Sequence, residues 1–327
     1  MHIPDNYLSP STCIVLALVS IPVVKMSMNK AKEKLGMKKM SSIAVYSAFS
    51  FIIMMFNIPL PGGTSGHAVG SALTALIMGP WVSVISTSIA LIIQAIFFGD
   101  GGIVSLGANV FNMAILMPFT AYYTNRVLKN FIKKDKFNAF ISGYISLNLA
   151  ALFTAIEFGI QPLLFKDSLG LPLYCPYPLS ISIPAMMIPH LLVVGIVEGV
   201  FTMGVLSFLL KTAPNSVVKT SKLKANPLYI LLGSLTIFTP LGLLSKGTAW
   251  GEWGKEEILN MLGYIPKGMN KSTSINAIMS DYSIKNLSET TGYLLSGIIG
   301  IILVFLFFIL LKYIKLAIQS KNKGSVD

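Results

Sequence analysis

Long apolar runs separated by short polar stretches dominate the chain. They fall at about 10–24, 42–58, 67–79, 81–98, 105–125, 138–159, 183–210, 227–244 and 290–317. A hydrocarbon core about 30 Å thick takes roughly 20 apolar residues per helix, fewer where neighbouring helices bury it. The pattern predicts nine spans, the third and fourth being short and meeting at the helix break Gly79-Pro80. The expected fold class is all-α: a polytopic membrane protein, with a seven-span bundle over 1–212, a basic linker over 213–226 and a two-span hairpin over 227–327. The hairpin carries a long polar loop, about 245–289.

Charge orients these spans. Nineteen of the 25 basic residues follow spans one, five, seven and nine; the opposite face has six, offset by eight acidic residues. Basic residues gather on the cytoplasmic side, so the C-terminus is expected in the cytoplasm and the N-terminus outside the plasma membrane. The linker is then cytoplasmic and the 245–289 loop extracellular. Composition agrees: 54% of residues are hydrophobic and 12% charged, about half the charged fraction of a soluble domain. The net charge of +12 does not indicate nucleic acid, because Lys falls in short blocks and Arg126 is the sole arginine. Cys13 and Cys175 match no metal or redox spacing and read as packing residues. No basic stretch precedes the first apolar run and no A-x-A site follows it, so residue 1 is expected to be the mature terminus.

That expectation gives weight to His2. A chain beginning Met-His presents the α-amine, the backbone nitrogen of residue 2 and the imidazole Nδ1 in succession. Together they close a five-membered and then a six-membered chelate ring around one metal. A bulky second residue keeps Met1 in place, and three nitrogens leave one corner of a square plane open. Ni(II) and Cu(II) suit that plane, and Co(II) is accommodated. Left in solvent, His2 is an ordinary chain end; Pro4, Asp5, Asn6, Ser9 and Pro10 are the turn-forming residues that fold it back. His67, in a glycine-rich loop on the same face, is a candidate for the fourth corner or an interfacial hydrogen-bonding residue.

The remaining polar candidates are ambiguous. His190 and Glu198 share one side of span seven about 12 Å apart, too far to hold one ion, and read as a structural hydrogen-bonded pair or network. Glu157 and Glu198 read as structural groups or as ion relays. Asp100, in Gly99-Asp100-Gly101-Gly102, reads as a residue orienting a metal-bound His or as turn chemistry. No hydrolytic or nucleotide-binding motif is present, so an enzyme is not expected.

Met1-His2-Ile3-Pro4-Asp5, Gly66-His67-Ala68-Val69-Gly70, Gly99-Asp100-Gly101-Gly102 and Leu106-Gly107-Ala108-Asn109 together resemble the nickel/cobalt substrate-capture components of energy-coupling-factor transporters, the CbiM/NikM family. The hairpin, with Gly247-Thr248-Ala249-Trp250-Gly251-Glu252-Trp253, looks like that family's two-span auxiliary component. The resemblance implies a metal held by the Met1 amine, the His2 backbone nitrogen and imidazole, and the His67 imidazole. Asp100, Asn109, Glu157, His190 and Glu198 stand behind these as supporting or coupling candidates. It also implies a transmembrane coupling protein and cytoplasmic ATPases as partners, besides membrane lipid. The metal, nickel favoured over cobalt, is a transported substrate rather than a resident cofactor. Asn6 stands where the family usually has Gly, and is the next-best residue for positive φ. Cys13 and Ala17 are the nearest match to a small-residue coupling surface. The alternative is a metal transporter or channel working alone through its intramembrane Glu residues.

Overall fold

The computed structural model describes residues 1–35, 40–60, 64–212, 226–270 and 277–323. Most of the expected linker, 213–225, and positions 61–63 of the glycine-rich loop lie outside the described residues. The helices are α1 (Pro10–Leu35), α2 (Met40–Met54), α3 (Ser71–Met78), α4 (Pro80–Ile93), α5 (Leu106–Asn109), α6 (Met117–Phe131), α7 (Asp135–Gly159), α8 (Gln161–Leu164), α9 (Leu179–Pro189) and α10 (Gly195–Thr212). The C-terminal part adds α11 (Asn226–Phe238), α12 (Lys255–Leu262), α13 (Lys267–Asn270) and α14 (Glu289–Lys323). A two-stranded antiparallel ribbon, β1 (Ile58–Leu60) with β2 (Thr64–Gly66), links α2 to α3. This is an all-α polytopic membrane protein, and six helical runs among the described residues are long and apolar enough to cross a bilayer.

The first helix starts where its sequence says it should. Ser9 Oγ accepts from the Thr12 amide at 3.1 Å, and Pro10 opens the first turn without needing a partner for its nitrogen. Ile14, Val15, Leu18 and Ile21 of α1 are exposed, an apolar face suited to lipid. Ala17 points the other way: a Cβ added at Gly107 would lie 2.7 Å from its Cα. The small residues of span one therefore pack inward, Cys13 being buried as well, and Ala17 is not on a free coupling surface.

The expected third span is corrected by the structure. Only Ser71–Met78 is helical, about 12 Å of rise, too short to cross the core. His67 to Gly70 are non-helical, and Gly70 turns the chain into α3 at φ 74. The kink at Gly79 (φ 91) then folds α3 back along α4, and the residues flanking the pair, His67 and Asp100, both meet His2. Helical winding also loosens to π-turns at Gln94–Phe98, Val110–Leu116 and His190–Val194, a feature that commonly re-aims side chains near functional sites. The run through α5 and α6 is less apolar than its neighbours because Asn109 and Asn112 face the interior.

The C-terminal part is not a separate appendage. Tyr293 on α14 donates to the Met55 carbonyl at 2.6 Å, and its neighbouring loop reaches the N-terminal segment. A second core cluster there joins Ile3, Tyr7, Leu8 and Phe158 to Ile258 and Met269, with Trp250 and Trp253 packed against it.

Candidate metal centre

The first nine residues are non-helical yet largely buried, Ile3 completely. Burial of bare backbone is costly unless each polar group finds a partner, and here the partners are specific. Asn109 grips Ile3 from both sides: its Oδ1 accepts from the Ile3 amide at 2.8 Å, and its Nδ2 donates to the Ile3 carbonyl at 3.1 Å. That carbonyl also accepts from the Gly102 amide at 2.9 Å. Asp5 accepts from the amides of Ile103, Val104 and Ser105 at 3.1, 2.8 and 3.2 Å. Asn6 makes the turn at φ 70, so asparagine supplies the left-handed residue required there. Further along, Tyr7 donates to the Trp253 carbonyl at 2.8 Å, and the Ser9 amide donates to Gln161 at 3.0 Å.

This clamp brings His2 beside His67, with ring centroids 5.0 Å apart and an edge-on approach. Both rings are buried. His67 Nδ1 lies 3.1 Å from the Ala68 carbonyl. A carbonyl only accepts, so Nδ1 carries the proton and Nε2 keeps its lone pair for a metal. Burial, reinforced by the nearby amine and His2, pushes the His67 pKa down to about 3, which keeps the ring neutral.

His2 Nδ1 is hydrogen-bonded to Asp100, and its Nε2 is buried without a hydrogen-bond partner among the described residues. The chelate expected from the sequence needs Nδ1 free. A half-turn of the imidazole about Cβ–Cγ turns Nδ1 away from Asp100 and brings Nε2 to the Asp100 side. Asp100 itself is fixed by Tyr282, whose hydroxyl donates at 2.5 Å, and by Gln94 at 3.3 Å. Burial alone would raise the Asp100 pKa; the charge and hydrogen bond of His2, with Tyr282, outweigh it and hold the carboxylate well below its usual range.

The Met1 amine donates to Glu252 Oε1 at 3.2 Å. Glu252 belongs to the loop of the C-terminal hairpin, 251 positions away, and is partly exposed while Met1 is buried. Among the described residues no three His, Cys, Asp or Glu side chains gather as a metal site. A donor set here therefore has to include main-chain and terminal nitrogens.

Of the sequence candidates, Met1, His2, His67, Asp100 and Asn109 converge. The others do not join them. Glu157 accepts from Asn112 at 2.7 Å inside the bundle. His190 Nδ1 bonds the Met186 carbonyl at 2.6 Å within its own helix, rather than pairing with Glu198. Glu198 reaches the loop that carries His67. Sequence reasoning missed Gln94, Glu252 and Tyr282 as parts of the site. The only local signal was an acidic residue set between two tryptophans, in Trp250-Gly251-Glu252-Trp253.

Gly102 gives one direct test of the clamp. A Cβ there would collide with Asp5 Oδ1 and the Asp5 backbone nitrogen. Gly102→Ala is expected to weaken metal binding by about tenfold or more, through overpacking of roughly 1–3 kcal/mol. Titration of the purified variant checks this; wild-type affinity would mean the segment docks without that close approach.

The chain matches the model of a family described as the cobalt uptake substrate-specific transmembrane region over residues 2–216, and that of the PDGLE domain over 225–316. It is 42% identical over 320 residues to a probable fused nickel transport protein LarMN of Lactiplantibacillus plantarum, covering 94% of this chain and 96% of that one. It is 39% identical to a fused nickel transport protein NikMN of Rhodobacter capsulatus, with 93% and 95% covered. A solved structure titled as a truncated transition metal transporter superposes with a TM-score of 0.62 at 49% identity, covering 64% of this chain and 99% of that one.

Proposed function

This chain belongs to the cobalt-uptake substrate-specific transmembrane family of metal transport proteins and carries a C-terminal PDGLE domain, and from that premise we propose that it is the substrate-binding subunit of an energy-coupling-factor importer for Ni(II). The single observation that carries the reading is the meeting of the buried His2 and His67 imidazoles, with the buried Met1 amine near enough for its charge to act on His67. The Met1 amine, the His2 backbone nitrogen, His2 Nδ1 after its half-turn, and His67 Nε2 supply four nitrogens. Two fused chelate rings hold the first three near one plane, which suits Ni(II). Relatives named for nickel and matched along nearly their whole length support that ion over cobalt.

The rest of the site acts on these donors. Asn109 and Asp5 fix the backbone, so that little ordering remains at binding. With the His2 ring turned, Asp100 accepts from its Nε2–H and orients it. The N-terminus faces outward and the ion enters from that side. A transmembrane coupling protein and cytoplasmic ATPases supply the energy.

Purified full-length chain titrated with Ni(II) and Co(II) should bind one Ni(II), more tightly than Co(II). In cells, Ni(II) uptake should stop when the ATPase subunits are deleted. Uptake that persists without them would instead favour a transporter working alone.

A further inference from the structure

Glu198 lies outside the donor set, yet it is the wholly buried carboxylate that meets the His67 loop. Its Oε2 accepts from the Val69 amide at 2.8 Å and the Gly70 amide at 3.2 Å. These two amides stand at the entry to α3, where a helix leaves its first N–H groups without internal partners. Both amides are buried in protein, where an N–H without a partner is costly. Val69 is two residues from His67, and Gly70 is the left-handed pivot that turns the loop into the half-length helix.

The residue that receives these bonds sits on a firmly seated helix. A Cβ added at Gly199 would lie 2.8 Å from the Phe140 carbonyl oxygen, and one at Gly143 would lie 3.1 Å from the Glu198 carbonyl oxygen. Backbones of α7 and α10 are thus in close contact beside Glu198, which fixes the helix that carries it. The His67 loop hangs from that fixed point by two hydrogen bonds.

We propose that Glu198 is the positioning residue for His67: by holding the amides of Val69 and Gly70 it sets the height at which the imidazole meets His2. This rests on the reading of His67 as a metal donor. It requires an oxygen acceptor at position 198 and no charge movement, which separates it from an ion-relay role for the same side chain.

The test is a double-mutant cycle on the full-length chain, reading Ni(II) affinity and the d–d absorption of bound Ni(II). Glu198→Leu should weaken binding about tenfold or more, in the range set by other residues that orient ligands. Its spectrum should shift toward that of His67→Ala. Glu198→Gln, which keeps an oxygen for both amides, should retain the wild-type spectrum and nearly all the affinity. In the His67→Ala background, Glu198→Leu should cost less than about twofold, because the residue it positions is gone. Additive losses, an unshifted spectrum in Glu198→Leu, or loss of binding in Glu198→Gln would each overturn the proposal. Should the leucine variant not fold, Glu198→Asp withdraws the carboxylate by one methylene and should shift the spectrum the same way; an unchanged spectrum overturns the claim. If His67→Ala itself binds Ni(II) like wild type, the donor reading falls and the positioning role falls with it.

Discussion

One residue placed ahead of Met1 is expected to lower Ni(II) affinity on the order of a thousandfold, about 4 kcal/mol. The extension converts the primary amine into a peptide nitrogen, which binds a metal only after losing its proton, and sets a new amine one residue further out, in competition for the corner that His67 fills. Space works in the same direction. Met1 is buried, and its nitrogen is within 3.2 Å of Glu252, so an added residue has to displace the hairpin loop or lift the segment out. Folding should be little affected, because the clamp on Ile3 and Asp5 lies beyond the altered position. Calorimetric titration of the extended protein, with its melting temperature measured alongside, checks both halves. Affinity and d–d absorption both equal to wild type in a folded extended protein remove the amine from the donor set.

His67→Ala is expected to cost about a hundredfold or more in affinity, beyond what residues that merely orient ligands usually cost. The variant carries a second, sharper expectation about pH. Because the His67 pKa is pushed down to about 3, the ring is already neutral throughout the range from pH 5 to 8. Protons therefore do not compete with metal at His67 in that range, and the fall in affinity on acidification belongs to the other nitrogens. Wild type and His67→Ala should give parallel plots of log affinity against pH, offset by a constant. A shallower slope in the variant would show that His67 titrates where metal binds. The same depressed pKa has a stability consequence. The unfolded chain takes up a proton at this residue near pH 6.5 and the folded one only near 3, so the contribution of neutral His67 is lost progressively as pH falls between those values.

Several site features were legible because they are local. The Met1-His2 pair defines its chelate rings by covalent connectivity alone. Asn6 reports a left-handed turn through its own conformational preference, and φ 70 is what the chain adopts. Asp100 was marked by the glycines around it, and it bonds His2. His190 shows the limit of such reasoning. Its spacing from Glu198 suggested a pair on one helix face, yet the π-turn at His190–Val194 and the Met186 carbonyl give it a partner of its own. The third span misled for a different reason. Its hydropathy is that of a buried segment, and composition does not tell a full crossing from a half-length helix enclosed by protein.

The sequence by itself determined the membrane-embedded all-α class, the positions of most helices, and the expectation that His2 of a folded-back terminus meets His67, as its ring does. These follow from hydrophobic length and from bonds along the chain, both of which act over a few residues. Tertiary structure alone decided that Glu252 and Tyr282 of the hairpin reach the Met1 amine and Asp100, and that Glu198 caps the His67 loop. Buried polar groups must find partners wherever the folded chain brings them, and local pattern does not say which residues meet across separations of 251, 182 and 129 positions.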